Sequence, residues 1–335
     1  MLTTHKMNTQ DIKKYIDNTF KNKSFKISEI KGDASNRKYY RALGHDQSYI
    51  VMDSMLEKRN FNNFIKYTKI FNDNSIRTPK IIHKDINNRI LIIEDLGDLL
   101  FFDIINKDNL KKIYSDSIVN ILNIQKIKAR NVPQYKKERY FKESSFFLQW
   151  VLSEFCKLKI SNQDIKKLLK SLNLIVSNIN HNTNKLVHRD YHSKNLFFIQ
   201  DETIIIDYQD AMYGSPLYDF VSLVNDCYRD IDENSLIFLK NFFIDGFNED
   251  NRYNFSHDEF SHNFDLISAQ RHLKASGIFC RLSVKFNRHN YLQHLKRTLG
   301  YIIHATANYD NLQIINFFAS EAMNTLDESD NISSR

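Results

Sequence analysis

The eight residues from 188 to 195 hold the side chains of this chain that are best suited to chemistry. Within them His188, Asp190 and Asn195 follow the spacing H-R-D-x-x-x-x-N, with Tyr191 at the position where Leu is usual. That spacing is typical of a kinase catalytic loop. Phosphoryl transfer requires a carboxylate near the attacking hydroxyl and oxygen ligands that hold magnesium against the phosphates. The loop therefore predicts Asp190 as a catalytic base and Asn195 as a Mg²⁺ ligand.

A second magnesium ligand is expected downstream, where a short apolar strand ends. Residues 204–206 are all Ile and are followed by Asp207, which the sequence predicts to be that ligand. His188 is expected to support the loop through hydrogen bonds. His192 or Lys194 is expected to approach the transferred phosphate.

Two other interpretations of the loop remain open at this point. His188, Asp190 and His192 alternate along the chain, so a strand could direct all three toward one zinc ion. No H-E-x-x-H motif, cysteine pair or distant matching His cluster supplies the rest of such a site. The segment could also be a polar turn that is only hydrogen-bonded. The flanking apolar runs and Asp207 favour the kinase loop.

A turn near the start of the chain is the candidate cover for the phosphates of ATP. Its small residues and backbone amides suit phosphate binding, although an ordinary hairpin is the alternative. The candidate residues are Gly32, Ser35, Asn36 and Arg37. Where a protein kinase carries a strand Lys, residues 49–53 read Y-I-V-M-D. Arg37, Lys38 or Arg41 would then balance the phosphate charge.

Short strands with two helices are predicted for the first part of the chain. Apolar spacing predicts helices at 9–20 and 59–71, and alternating or apolar runs predict strands at SFKISEIK, RKYYRALG, SYIVMDS, KIIHKD and RILIIED. Helical periodicity follows at 109–129, 140–159, 163–178, 216–229, 257–276 and 311–326, interrupted only around the candidate loop. The pattern predicts an α+β, protein-kinase-like two-lobe fold, with a small antiparallel-sheet N-lobe and a larger, mainly helical C-lobe.

The boundary between the lobes is expected at the turn EDLGD, because a strand ends there in an acidic, Gly-containing segment. Residues 1–94 would form the nucleotide-binding lobe, 95–98 the connection, and 99–335 the catalytic and acceptor-binding lobe.

Composition narrows the classes of function. The 335 residues carry a formal net charge of +7, but Lys and Arg are scattered and accompany no nucleic-acid motif, so no nucleic-acid partner is expected. Every apolar run is shorter than a membrane span, and the three cysteines are far apart, which fits a reducing compartment. The sequence predicts a cytoplasmic protein with no membrane partner and no obligate protein partner.

Taken together, these segments resemble the aminoglycoside phosphotransferase and choline kinase superfamily. GDASNRKYYRA, YIVMDS, LIIEDLGD, LVHRDYHSKNLFF, IIDYQDAMYGSPLYDFVSLVNDCY and QRHLKASGIFCRL are similar to successive blocks of its bacterial anomeric amino-sugar kinase branch and cover residues 32–282 in order. In that branch Met-Asp stands where the strand Lys would be. The resemblance implies ATP- and Mg²⁺-dependent phosphorylation of the anomeric hydroxyl of N-acetylmuramate and/or N-acetylglucosamine in cell-wall sugar recycling.

Matched residue by residue, the resemblance implies Asp190 as general base and Asn195 and Asp207 as magnesium ligands. Glu94 to Leu96 would be the adenine-facing connection.

The resemblance also bears on the helical lobe. Asp219 would anchor the site, or would only be a carboxylate stabilised at a helix start. Candidate acceptor contacts are Asp226, Tyr228, Arg229 and Arg281. Trp150 and the Phe146–Phe147 pair could line the acceptor pocket, although aromatic residues at helical spacing are usually part of a core.

Two other functions remain open. The same fold could phosphorylate a different hydroxyl acceptor, such as an aminoglycoside or a choline-like compound. The missing strand Lys could also indicate a nucleotide-binding pseudokinase, although both presumed metal ligands, Asn195 and Asp207, are retained.

Overall fold

Two compact units make up the chain, which the computed structural model describes at residues 7–21, 23–30, 37–179, 184–250 and 254–333. One unit consists of Met1–Asp103 with Asn195–Asp210, and the other of Ile104–Lys194 with Ala211–Arg335. The segment around residues 195–210 therefore belongs to the first unit. Among the described residues, no helix has the length and apolar character needed to cross a membrane.

The first unit contains one five-stranded antiparallel sheet with the strand order β1-β2-β3-β5-β4. Its strands are β1 Lys26–Ile30, β2 Lys38–Leu43, β3 Ser48–Asp53, β4 Ile81–Asp85 and β5 Ile90–Glu94. The predicted strands are thus confirmed. Isoleucine and leucine fill β5, and its first four residues are buried because it lies between two other strands.

Two helices accompany the sheet, as the apolar spacing predicts. Helix α1, Thr9–Thr19, begins at a capping box made by Asn8 and Asp11, and its buried Ile12 and Ile16 belong to the same apolar cluster as sheet residues. Helix α2, Lys58–Asn72, buries Phe61, Phe64, Tyr67, Thr68 and Phe71 along one side. A second small sheet pairs β7, Leu196–Ile199, with β8, Glu202–Ile205.

The second unit is mainly helical. Its helices are α4 Leu110–Lys126, α5 Lys137–Ser144, α6 Asn162–Asn178, α7 Leu217–Val224, α8 Glu233–Asp250, α9 His257–Phe286, α10 Leu295–Thr306 and α11 Gln313–Ser333; the short α3, Phe101–Ile104, spans the boundary between the units. Strands β6, Lys185–Val187, and β9, Met212–Gly214, pair antiparallel on either side of the candidate loop in sequence.

Four predicted helices differ from the structure, among them 311–326, which continues in α11 to Ser333. The segment 140–159 is not one α-helix, because α5 ends at Ser144 and a π-helix follows at Phe147–Phe155. Helix α7 ends at Val224, before the predicted 229, and α9 continues ten residues past 276 to Phe286. Asn287 adopts a left-handed conformation at φ 55°, which ends α9. Helices α8 and α10 were not predicted, and the helical pattern is therefore more extensive than expected.

Gly277 allows α9 to approach the segment before the π-helix. A Cβ atom at this position would lie 2.4 Å from Cβ of Phe146 and 2.6 Å from its backbone carbon. No side chain larger than hydrogen fits that distance. The middle of α9 is thereby fixed against the chain near residue 146.

Candidate active site

The candidate loop begins immediately after β6 and is held by a buried carboxylate. Asp219, in the first turn of α7, is fully buried. Its two oxygens accept the backbone N–H groups of His188 at 2.5 Å and Arg189 at 2.8 Å. Of the two interpretations of Asp219, the structure therefore supports the one in which it anchors the loop. Burial raises the pKa of this carboxyl group.

Arg189 has a left-handed backbone conformation, with φ at 79°. Such a conformation is unfavourable for a residue with a side chain and persists only where surrounding contacts impose it. The buried guanidinium donates to both oxygens of Glu143 at 2.7 and 3.0 Å and lies 4.4 Å from the ring centre of Tyr135. These contacts fix the residue next to Asp190.

Asp190 is the carboxylate to which the motif assigns the chemistry. Its side chain is 41% exposed, and its Oδ1 lies 3.1 Å from Nζ of Lys274, whose side chain is only 10% exposed. Burial by itself would raise the pKa of Asp190, but the charges of Lys274 and Arg189 outweigh it and hold that pKa well below its ordinary value. Asp190 is therefore ionised at neutral pH and accessible to a substrate.

The two histidines of the motif have different surroundings. His188 is fully buried, and its Nδ1 accepts the backbone N–H of Asp190 at 3.3 Å, which agrees with the predicted supporting role. The ring of His192 lies edge-on to Tyr228, with the ring centres 5.0 Å apart. Burial lowers the pKa of His192 to about 4, so this imidazole is neutral at pH 7.

The zinc interpretation finds no support in the part of the chain that the structure describes. No group of three or more His, Cys, Asp or Glu side chains there is arranged to hold a metal ion. The Nδ1 atom of His188 accepts the backbone N–H of Asp190 and is therefore occupied within the loop.

Two of the predicted acceptor contacts serve as structural contacts in the second unit. Asp226 is fully buried, and it accepts the backbone N–H groups of Ser193 and Tyr228, both at 2.8 Å. Arg229 donates to the carbonyl oxygen of Ile105 at 2.9 Å.

Arg281 and Tyr228 lie beside aromatic or cationic groups. The Arg281 guanidinium lies 5.7 Å from the ring centre of Phe146, and Nζ of Lys194 lies 4.2 Å from that of Tyr228. Tyr228 also contacts the ring of His294 edge-on at 4.7 Å. Tyr228 is thus the candidate acceptor contact that is surrounded by polar and aromatic side chains.

Asn195 and Asp207 come together in the first unit. Leu196 pairs with Ile205 across the β7–β8 hairpin, and the backbone N–H of Ile206 donates to the carbonyl oxygen of Asn195 at 3.0 Å. Asp207 therefore follows directly after the residue bonded to Asn195. Its backbone is left-handed at φ 60°, an unfavourable conformation of the kind that concentrates at functional sites.

Arg37 is the basic side chain that contacts Asp207. Its Nη2 lies 3.0 Å from Asp207 Oδ1, although the Arg37 side chain is only 6% exposed and that of Asp207 is 45% exposed. Gln209 donates to the same oxygen at 2.8 Å, and Nε of Arg37 lies 3.8 Å from Glu57. Arg37 thus faces two carboxylates, those of Asp207 and Glu57.

The chemistry of these donors fits a magnesium ion. Mg²⁺ prefers hard oxygen ligands and binds through one or two carboxylates while it keeps several waters. Asp207 supplies an accessible carboxylate and Asn195 an amide oxygen, and their backbones are joined by the hairpin. The neighbouring negative charge of Glu57 also favours a cation.

The other candidate phosphate cations are occupied elsewhere. Arg41 binds Asp95 at 2.7 Å and Asp98 at 2.6 Å, and Lys38 binds Glu29 at 3.2 Å. Of the three basic residues that the sequence proposes, Arg37 is the one beside a predicted magnesium ligand. The other residues of the candidate phosphate turn, Gly32, Ser35 and Asn36, lie outside the described residues.

Met52 and Asp53 lie on β3, in the segment where a protein kinase carries its strand Lys; Met52 is fully buried and Asp53 is nearly so. Asp53 accepts the backbone N–H groups of Met7 at 3.3 Å and Met55 at 3.0 Å. This carboxylate therefore organises the chain around the end of β3.

The predicted adenine-facing segment follows β5. Glu94 binds Arg77 at 2.8 Å and accepts the backbone N–H of Lys80 at 3.0 Å, while Leu96 is half-buried. Gly97 adopts φ 82°, and its N–H donates to Asp95. Arg41, by binding residues on both sides of Leu96, fastens this segment to the sheet.

Sequence reasoning missed Lys274 and Glu143. A lysine or glutamate within a helical pattern is ordinarily a solvated surface residue, so neither residue type indicated a buried contact. The available signal was the position of Lys274 in a helix between Leu273 and the pair Gly277–Ile278. A lysine among apolar and small residues is unusual on the solvent-exposed side of a helix.

The sheet-containing unit, the helical unit and the H-R-D-x-x-x-x-N loop define a small-molecule phosphotransferase of the kinase-like fold. The family model described as the phosphotransferase enzyme family, APH, matches residues 26–248. The chain belongs to this family. The predicted resemblance and the predicted fold class are both confirmed.

Two curated relatives share the name N-acetylmuramate/N-acetylglucosamine kinase. The protein from Pseudomonas aeruginosa is 26% identical over 282 residues, covering 84% of this chain and 83% of the relative. The protein from Neisseria meningitidis serogroup B is 24% identical over 311 residues, covering 90% of this chain and 92% of the relative. The similarity extends over nearly the full length of each protein.

Solved structures support the same fold. The choline kinase LicA from Streptococcus pneumoniae aligns with a TM-score of 0.61 at 13% identity, covering 88% of this chain and 98% of that one. A ternary complex of the aminoglycoside phosphotransferase APH(4)-Ia with ADP and hygromycin B aligns with a TM-score of 0.62 at 12% identity, covering 89% and 99%.

Proposed function

We propose that this protein transfers the γ-phosphate of ATP to the anomeric hydroxyl of N-acetylmuramate and/or N-acetylglucosamine. Membership of the phosphotransferase family and three curated relatives with that name, among them the two described above, support the proposal. The observation that carries the chemistry is the carboxylate of Asp190, which is accessible, ionised and held on a doubly anchored loop.

In the proposed reaction Asp190 accepts a hydrogen bond from the anomeric hydroxyl and orients its oxygen toward the γ-phosphorus. As the new oxygen–phosphorus bond forms, the bond from that phosphorus to the β,γ-bridging oxygen breaks, and ADP leaves with the electron pair. Asp190 takes the hydroxyl proton. Because His192 is neutral, it contributes no positive charge to this step.

Asn195 and Asp207 would hold the magnesium ion. That ion, when bound, neutralises charge on the phosphate oxygens. Arg37, beside Asp207, is the proposed phosphate-contacting side chain in place of the absent strand Lys. Gly32, Ser35 and Asn36 are proposed to cover the phosphates, and residues 94–96 to contact adenine.

Tyr228 is the proposed acceptor contact best supported by its surroundings, because an aromatic ring can pack against the apolar face of a sugar. We also propose that the protein acts in the cytoplasm, in the reuse of cell-wall sugars. The substrate is a small molecule, and no nucleic acid, membrane or obligate protein partner is required.

The decisive experiment is an acceptor panel with purified protein, ATP and Mg²⁺. The panel contains N-acetylmuramate, N-acetylglucosamine, an aminoglycoside and choline, together with the methyl glycoside of N-acetylglucosamine, which lacks a free anomeric hydroxyl. We expect ADP release and a 1-phosphate product with the free amino sugars only. Preferred turnover of choline or the aminoglycoside would reject the sugar assignment. ATP binding without transfer to any acceptor would favour a pseudokinase.

A further inference from the structure

Lys274 lies in the middle of α9 with its ammonium group directed at Asp190. The residue is 8% exposed, and its Nζ lies 3.1 Å from Asp190 Oδ1. It approaches Asp190 from a point 84 residues away in sequence, so no local backbone constraint creates the pair.

A buried ammonium group is expensive in this location. Removing a cation from water costs about several kcal/mol, and an ion pair offsets only part of that cost. An apolar side chain of similar length would fill the same space in α9 without that cost. The placement of a cation here therefore serves the carboxylate that it contacts better than it serves the stability of the fold.

Two other basic side chains near this pair bind the carboxylate of Glu143. Arg189, on the loop, binds Glu143 of α5 through both oxygens of that carboxylate, and Arg139 also binds Glu143 at 2.9 Å. Lys274 is the cation whose ammonium group is bonded directly to Asp190. Its neighbours in turn rigidify it, since Gly277, one turn further along α9, is packed against Phe146.

We propose that Lys274 is a positioning residue for the phosphoryl transfer: by binding one oxygen of Asp190 it fixes the orientation of the carboxylate toward the acceptor hydroxyl. The proposal rests on the proposed function of Asp190. Lys274 acts through Asp190 and is not itself assigned a contact with substrate.

The pH dependence follows from the charged groups around Asp190. Burial raises the pKa of Asp190, whereas Lys274 of α9 and then Arg189, His192 and His188 of the loop lower it. Burial lowers the pKa of Lys274, whereas Asp190, Tyr218 of α7 and Glu143 of α5 raise it. A base must be deprotonated, so activity falls as pH drops through its pKa. Without Lys274 the pKa of Asp190 rises, and the acid limb of kcat/KM moves to higher pH.

The test uses Lys274→Met, which keeps the length and volume of the side chain, and Lys274→Arg, which keeps the charge. The matched control is Lys285→Met, an exposed lysine on the same helix. We expect Lys274→Met to lower kcat at pH 7 by about tenfold or more, because the catalytic base is then less well oriented. The acid limb of the kcat/KM profile should move to higher pH by about one pH unit or more. Lys274→Arg should keep the limb in its original position, and Lys285→Met should resemble wild type.

A titration of ¹³C-labelled aspartate by NMR makes the result independent of the acceptor. The signal of Asp190 is assigned as the one that is absent from the spectrum of Asp190→Asn. The pKa of Asp190 should rise in Lys274→Met and stay low in Lys285→Met. An unchanged Asp190 pKa in folded Lys274→Met overturns the proposal even if sugars are phosphorylated. A raised pKa without turnover of any sugar would sustain the pairing while rejecting the proposed function. Circular dichroism and thermal unfolding of each variant establish that it is folded.

Discussion

Two half-exposed carboxylates, one in each unit, are each bonded to a basic side chain that is almost buried. Asp190 faces Lys274 at 3.1 Å, and Asp207 faces Arg37 at 3.0 Å. The exposed fractions of the two carboxylate side chains are also similar, at 41% and 45%. The geometry of the pairs is therefore alike, and the difference between them lies in the charges around them.

Asp190 binds Lys274, and the adjacent Arg189 binds Glu143, which Arg139 also binds. Arg37, in contrast, faces both Asp207 and Glu57. A carboxylate with basic groups beside it stays ionised and suits a base, whereas two neighbouring carboxylates suit a divalent cation. The comparison teaches that the charged groups next to each carboxylate, more than its exposure, separate the two proposed roles.

The largest effect is expected for Asp190→Asn. The amide has the shape of the carboxylate but cannot accept a proton, so kcat/KM for the sugar should fall by about 10³-fold, within the usual range for a general base. Steady-state kinetics measure it. The matched control is Asp108→Asn, an exposed carboxylate in the same unit, which should keep wild-type activity. Full activity of Asp190→Asn would remove Asp190 from the base role.

Asp207→Asn should produce the next largest effect and a different signature. Loss of a charged ligand should raise the Mg²⁺ concentration for half-maximal rate by about 10- to 100-fold, and excess Mg²⁺ should partly restore the rate. The measurement is a Mg²⁺ titration of initial rates with EDTA-treated protein. Asp201→Asn, an exposed carboxylate in the same hairpin, is the control. An unaltered Mg²⁺ requirement would contradict the metal role of Asp207.

Arg37→Met should affect ATP more than the acceptor. Loss of the proposed phosphate contact should raise KM for ATP by about tenfold, which corresponds to about 1.4 kcal/mol. KM for the sugar should stay within about twofold of wild type, because the sugar does not contact Arg37 in the proposed reaction. Lys38→Met provides the control, because Lys38 pairs with Glu29 on the sheet. If both variants change KM for ATP equally, Arg37 has no special place beside the phosphates.

The smallest effect concerns stability. The folded pKa of His192 is lowered to about 4, and an unperturbed His has a pKa near 6.5. Between these pH values the unfolded chain binds more protons than the folded protein does. The stability associated with a neutral His192 is therefore fully present above about pH 6.5 and is lost as the pH falls toward 4. From pH 7 to pH 5 it amounts to about 1–2 kcal/mol. Urea unfolding at both pH values should show a smaller acid-induced loss of the free energy of unfolding in His192→Gln than in wild type. An equal loss would contradict a neutral, half-buried His192.

The sequence predicts those features that depend on neighbouring residues. The motif spacing locates Asp190 and Asn195, the Ile run locates Asp207, and alternating apolar residues locate the strands of the first sheet. The hairpin then brings Asn195 and Asp207 together because their spacing fits one turn.

Features that depend on distant residues were beyond sequence patterns. Lys274 meets Asp190 only because α9 passes the loop, and Asp226, predicted as an acceptor contact, is turned inward by its two backbone hydrogen bonds. The π-helix also escaped prediction, since its i→i+5 bond from Cys156 to Val151 follows no 3.6-residue period.

The most direct test of the account is a crystal structure with a non-hydrolysable ATP analogue, Mg²⁺ and N-acetylglucosamine. We expect the anomeric oxygen within about 2.6–3.2 Å of an Asp190 carboxylate oxygen, the distance of a general base from its proton donor, and Mg²⁺ bound by Asn195 and Asp207. A complex in which the sugar binds away from Asp190, or in which these two ligands hold no shared ion, would contradict the account.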